Sequence, residues 1–181
     1  MIISSCFGTG SHRVLDLTEG IFFGGTNLLP LFISRLSRVG DAEVRFLAPY
    51  FNDELISSTF GVFSGLPHER FSLSVVTRDI ESASRVRNRL SAMPWRHLHV
   101  AWHRQLHGKL YLIRTASRTF TALIGSHNMT RRGMQSNLEL GVLLTGRDGV
   151  LSEVFQRCEL EALRLQREAR AVVEPTQRTA F

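Results

Sequence analysis

Of the 22 basic side chains in this 181-residue chain, 21 are arginine and one is lysine. That lysine, Lys109, stands two residues after His107 in the segment His107-Gly108-Lys109. Either residue serves where only positive charge is needed, whereas a compact ammonium on a flexible stem suits a position that needs a point charge. Side chains two apart on a strand project to the same side, so a strand beginning here points an imidazole and an ammonium at one place. A second cluster, Gly125-Ser126-His127-Asn128, sets Ser126 and Asn128 on a common side as neutral hydrogen-bonding groups suited to phosphate oxygens. Gly125 is expected to let a ligand approach the backbone closely. Glu139 interrupts the otherwise apolar stretch 138–144 and is able to accept the second ring proton of a histidine, fixing its tautomer. One imidazole, one ammonium, two neutral polar groups and one carboxylate compose a phosphodiester-cleaving site. Each piece has a plainer alternative: His-x-Lys as a surface strand pair, Glu139 as the solvent side of a half-buried strand, Ser126 and Asn128 as caps of the turn that follows. The ordered set favours the chemical reading.

The elements that must hold these residues follow from periodicity. An opening strand is expected near residues 1–5, with another near 14–17. Residues 27–39 place Leu28, Leu31, Phe32, Leu36 and Val39 at helical spacing, with Pro30 in the first turn. Residues 44–48 read as a strand, 53–60 as a short helix, 71–77 as a buried strand and 81–93 as a basic helix. Beyond Pro94 the pattern changes to strands at 98–102, 109–114, 120–124 and 138–144. Residues 149–172 form an amphipathic helix with Leu151, Val154, Phe155, Cys158, Ala162 and Leu165 on one stripe. This order fits an α/β fold, a mixed β-sheet sandwiched by helices. One domain is expected over residues 1–173, with 174–181 as a tail.

At 43% apolar residues the chain is able to bury a core. Its net charge of +6 and pI near 10.5 favour a polyanion, nucleic acid or an anionic membrane surface. The first residues lack a signal peptide's basic start and sustained apolar run, and no stretch is long enough to span a bilayer, so cytoplasmic residence is the default expectation. Cys6 and Cys158 show no metal-ligand spacing and read as buried free thiols. His97, His99 and His103 lack a neighbouring carboxylate or thiol at ligand spacing and read as ordinary strand and loop residues, and His127, alternating away from Ser126 and Asn128, as a packing or rim residue.

The elements His107-Gly108-Lys109, Gly125-Ser126-His127-Asn128 and Asn137-Leu138-Glu139 resemble the phospholipase D superfamily, whose signature is His-x-Lys, then Gly-Ser-x-Asn, then a glutamate about a strand further on. The family's fuller pattern has an aspartate five residues after the lysine, where this chain has Arg114. That departure touches local structure more than chemistry. Together with Asn128-Met129-Thr130-Arg131-Arg132-Gly133, it looks closer to the restriction-endonuclease branch than to the lipid-cleaving enzymes. The resemblance implies a phospholipase D-like fold and a two-step displacement through a phosphohistidine, with no metal and no cofactor. His107 would be the nucleophile, Lys109, Ser126 and Asn128 would hold the phosphoryl oxygens, and Glu139 would orient a His107 imidazole. A second histidine must protonate the leaving oxygen. This chain carries the motif once, so a twofold homodimer sharing one site is implied.

Arg131 and Arg132 are candidate nucleic-acid contacts, and Arg78, Arg85, Arg87 and Arg89 mark a second basic region, although the arginines of 81–93 are equally a solvated face. Trp95 and Trp102 are more readily packing residues than base-stacking ones. A phospholipase would present an exposed apolar loop near the site, for which residues 60–66 are the candidate. Nucleic acid is therefore the favoured partner, with DNA ahead of RNA by family analogy. The alternatives are a lipid phosphodiesterase and a catalytically silent nucleic-acid-binding subunit. No membrane partner is expected, while a specificity subunit or a longer parent protein would fit a chain with no evident DNA-reading domain.

Overall fold

The computed structural model describes residues 3–6, 20–24, 28–36, 38–52, 68–130, 132, 138–147 and 150–172. Its strands are β1 (Ile3–Cys6), β2 (Gly20–Gly24), β3 (Ala42–Leu47), β4 (Phe71–Thr77), β5 (His97–Trp102), β6 (Lys109–Thr115), β7 (Phe120–Gly125), β8 (Gly141–Gly146) and β9 (Arg170–Ala171). Its helices are α1 (Leu28–Leu36), α2 (Ile80–Leu90) and α3 (Val150–Glu168). The strands form one sheet in the order β1-β2-β8-β7-β6-β3-β4-β5-β9. Strands β3, β4 and β5 run parallel, whereas β6, β7 and β8 form an antiparallel meander joined to β3. The mixed sheet between helical layers is the expected α/β sandwich.

Alternation along the strands feeds two cores. Val44, Phe46, Leu73, Val75, Tyr111, Ile113, Leu123 and Leu143 pack with Leu29, Phe32 and Leu36 of α1 and Ala83, Val86 and Leu90 of α2. The residues between them, including Leu47, Val76, Leu112, Ala122 and Leu144, pack on the other face against Phe155 and Ala162 of α3. Asp79 caps α2 by accepting hydrogen bonds from Ser82 N at 2.7 Å and Ser82 Oγ at 2.9 Å.

Several boundaries move for physical reasons. The last helix ends at Glu168 rather than continuing to 172, because β9 pairs antiparallel with β5 and Val172 N donates to Val100 O at 3.0 Å. Main-chain bonds at the sheet edge thus prevail over helix propensity in 169–172. Strand β8 begins at Gly141 rather than 138, so Glu139 precedes the strand. Strand β2, a five-residue run bounded by glycines, was not anticipated by periodicity. The expected strand at 14–17, the helix at 53–60, the apolar stretch 60–66 and the tail 174–181 lie outside the described residues. Trp95 and Trp102 pack against the α1–α2 core, and Trp95 Nε1 donates to Leu90 O at 3.0 Å. Among the described residues no helix is long and apolar enough to cross a membrane.

Candidate active site

The topology brings the singled-out residues to one end of the sheet. Lys109, the first residue of β6, is the register partner of Gly125 at the end of β7, which in turn faces Gly141 at the start of β8. His107, two residues before Lys109, lies just outside the strand with an exposed imidazole that hydrogen-bonds to no described residue. Its carbonyl accepts a hydrogen bond from Lys109 Nζ at 2.9 Å, which holds the ammonium beside the histidine's own backbone.

The second half of the cluster is bonded to itself. Ser126 Oγ donates a short hydrogen bond to Glu139 Oε2 and accepts one from Leu140 N at 3.0 Å, while Ser126 N donates to Leu140 O at 2.9 Å. Glu139 is buried. Its carboxylate is anchored on Ser126, and within one chain it is not joined to the His107 imidazole. Asn128 is half-buried, its Oδ1 lacking a hydrogen-bond partner among the described residues. Arg132 is exposed beyond it, and Arg131 lies outside the described residues.

Gly125 is crowded by protein rather than left open for a ligand. A Cβ there would stand against Leu140 O, 2.7 Å from Gly141 Cα and 3.1 Å from His127 Nδ1. A Cβ on Gly141 would lie 2.9 Å from His127 Cε1. The two glycines therefore make room for the His127 ring, which is wholly buried. His127 is a packing residue, as its alternation away from Ser126 implies. Beneath it, Tyr111 Oη donates to His127 O at 2.8 Å. The Tyr111 ring packs on Phe32 and Phe46 with centroids 5.8 and 5.7 Å away. Burial, and then the Glu139 charge, push its phenol well above the usual range, so it stays protonated as a donor. Tyr111 was missed as a support, although it shares the Lys109 side of the strand by simple alternation.

Beside His107 opens a pocket of about 550 Å³ lined by Tyr50, Arg78, Asp79, Arg104, Gln105 and His107. Tyr50, Arg104 and Gln105 were also missed, because loop residues carry no periodic signal. The arginines of the second basic region separate: Arg78 joins this pocket, while Arg87 donates to Val172 O at 2.6 Å and ties α2 to the C-terminal edge. At the position of the family aspartate, Arg114 pairs with buried Glu159 of α3, which also holds Arg45 of β3 at 3.2 Å. The local structure thus receives its acid from a helix instead of from the strand.

His99 on β5 has its pKa lowered by burial and then by the Arg87 charge. Cys158 is a free, half-buried thiol on α3 whose pKa burial raises, less buried than expected. Among the described residues no three His, Cys, Asp or Glu side chains are grouped as a metal would require.

Over residues 41–162 the chain matches the family model described as "Cardiolipin synthase, PLD-like domain". Its structure is similar to that of Nuc from Salmonella typhimurium, a phospholipase D family member, at 14% sequence identity and TM-score 0.54, covering 84% of this chain and 97% of that one. It is similar also to NucT from Helicobacter pylori, at 11% identity and TM-score 0.58, covering 84% and 99% of the respective chains. At these identities the likeness is one of fold. No curated protein sequence is matched.

Proposed function

The chain belongs to the phospholipase D-like family of phosphodiesterases, and from that premise we propose that it is a nuclease that cleaves DNA without a metal, through a phosphohistidine on His107. The observation that supports this most is the convergence of His107, Lys109, Ser126, Asn128 and Glu139 on one end of the sheet, around the row Lys109, Gly125, Gly141. In the first step a neutral His107 imidazole attacks phosphorus, a P–N bond forms and the bond to the leaving oxygen breaks. That oxygen takes a proton from a second, protonated histidine. In the second step the same histidine removes a proton from water, the water oxygen bonds to phosphorus and the P–N bond breaks. Lys109 balances the charge on the phosphoryl oxygens, with Ser126 and Asn128 as neutral partners.

The second histidine is the His107 of another copy in a twofold homodimer. Two features support this assignment. The chain carries the motif once, and among the described residues the His107 imidazole has no hydrogen-bond partner. The net charge of +6 favours nucleic acid, with Arg132, and by sequence Arg131, beside the site.

One observation favours a second reading. Leu138 and Leu140, either side of Glu139, are exposed, and Ile124 and Phe23 continue the apolar surface. Such a border would suit lipid, and the family description itself names a cardiolipin synthase. Incubation of wild type and His107→Ala in EDTA with single- and double-stranded DNA, RNA and phosphatidylcholine vesicles separates the possibilities. Cleavage of DNA in EDTA that disappears in the variant is expected. Turnover of the vesicles alone would transfer the protein to the lipid phosphodiesterases, and silence on every substrate with tight DNA binding would indicate a binding subunit.

A further inference from the structure

The pocket beside His107 has a chemistry that the five motif residues do not provide. It sits where the parallel strands β3, β4 and β5 end: Tyr50 follows β3, Arg78 follows β4, and Arg104 and Gln105 follow β5. Crevices outside the carboxyl ends of parallel strands are where open α/β sheets bind ligands. Main-chain bonds extend the ladder into these loops, with Arg78 N donating to Pro49 O at 3.3 Å and His103 N to Thr77 O at 2.8 Å. Buried Leu106 anchors the turn carrying Arg104 through Leu106 N to His103 O at 2.9 Å. The side chains are thus held on a braced rim.

Charge decides what this rim accepts. Among the described lining residues the one carboxylate, Asp79, is engaged with Ser82 as the cap of α2. Arg78 donates to Tyr50 Oη at 3.3 Å, and Arg104 has neither hydrogen bond nor ion pair among the described residues. Elsewhere the arginines Arg45, Arg114 and Arg164 are matched to carboxylates. Two guanidinium groups with no acidic partner among the described residues, next to the proposed nucleophile, call for an anion adjacent to the one being cleaved. Tyr50 is 48% exposed on the same rim and offers a ring face. A phosphatidylcholine has one phosphate and a cationic headgroup, whereas a nucleic-acid strand carries a further phosphate and an aromatic base one nucleotide away. A base offers its face to a tyrosine when it is not stacked in a duplex.

We propose that Arg78, Arg104 and Tyr50 form a flanking-nucleotide subsite: the two arginines hold the phosphate next to the scissile one, Tyr50 stacks on its base, and the preferred substrate is single-stranded nucleic acid. This rests on the nuclease assignment made above and specifies its substrate.

The test compares wild type, Arg104→Ala, Arg78→Ala, Tyr50→Ala and Tyr50→Phe, with Arg157→Ala as a control for lost charge on an exposed face of α3. Hydrolysis of a single-stranded oligonucleotide is measured beside that of bis(4-nitrophenyl) phosphate, a diester with no flanking phosphate. Binding of a fluorescent single-stranded oligonucleotide and of its duplex is followed by anisotropy across a salt series. For Arg104→Ala, KM for the oligonucleotide should rise about tenfold more than KM for the small diester. The slope of log affinity against log salt should fall by about 0.7. Tyr50→Ala should weaken single-strand binding, Tyr50→Phe should restore it, and Arg157→Ala should change neither readout. Equal effects on both diesters, or an unchanged salt slope in Arg104→Ala, would overturn the subsite while leaving the nuclease assignment standing. Duplex binding as tight as single-strand binding, and indifferent to Tyr50→Ala, would overturn the strand preference. If wild type hydrolyses neither diester the nuclease assignment fails, and the anisotropy series still decides whether the subsite exists.

Discussion

His107 and Glu139 illustrate how far single residues can be read from spacing alone. The His-x-Lys pair was singled out because a period of two puts strand residues on one side; Lys109 does begin a strand, whereas His107 lies just before it. One partner of Glu139 was not legible: its carboxylate accepts a hydrogen bond from Ser126, thirteen positions earlier, a pairing that the β7–β8 register creates. Tyr111 was hidden for a similar reason. An aromatic at a core position reads as packing, and it does pack on Phe32 and Phe46, yet its hydroxyl also holds the carbonyl of His127 in the turn that carries Ser126 and Asn128. Tyr111→Phe keeps the ring and removes that donor, leaving a buried carbonyl with one fewer hydrogen bond. Urea unfolding should show a loss of about 1–2 kcal/mol, and kcat should fall as the turn loosens. Unchanged stability and turnover would show that the hydroxyl contributes nothing to the site.

At the scale of elements, strands β3, β4, β6 and β7 were legible in the sequence, as were helix α1 from its apolar spacing and α2 as a basic helix. What escaped depended on pairing across the sheet. Strand β9 consists of residues with helical propensity, and the open edge of β5 draws them into the ladder. The start of β8 shifts because the Ser126 side chain, rather than a strand neighbour, receives Leu140 N. Gly125 of β7 was legible as special but not in its purpose, which is, together with Gly141 of β8, to admit the His127 ring between strands. Gly125→Ala would force a Cβ against Leu140 O and Gly141 Cα, both backbone atoms that cannot move independently of β8. It should cost about 1–3 kcal/mol by denaturant unfolding and disturb the Ser126–Glu139 bond. Gly40→Ala, where a Cβ meets nothing within 4 Å, is the matched control and should leave stability near wild type. Equal effects of the two substitutions would remove Gly125 from its assigned place.

For the whole molecule, the change from alternating α and β to consecutive strands after Pro94 announced a mixed sheet between helices. The basic composition favoured a polyanion as partner. Neither could place Tyr50, Arg78 and Arg104 together, since that requires three parallel strands to end side by side. The same arrangement sets the pocket against the amino end of β6, where an antiparallel neighbour delivers His107 to it. On the proposed mechanism one chain presents a nucleophile, a cation and a basic approach, and leaves the general acid to a second copy. The most direct test is to trap the covalent intermediate. A single-stranded oligonucleotide carrying one radiolabelled internal phosphate is mixed with excess protein in EDTA and quenched in alkali during the first turnover. Label should remain on the protein, resist alkali, leave in acid, map to the peptide containing His107 and be absent in His107→Ala. Cleavage in EDTA that proceeds at the wild-type rate in His107→Ala, or label that maps to another residue, would contradict a histidine nucleophile at this position.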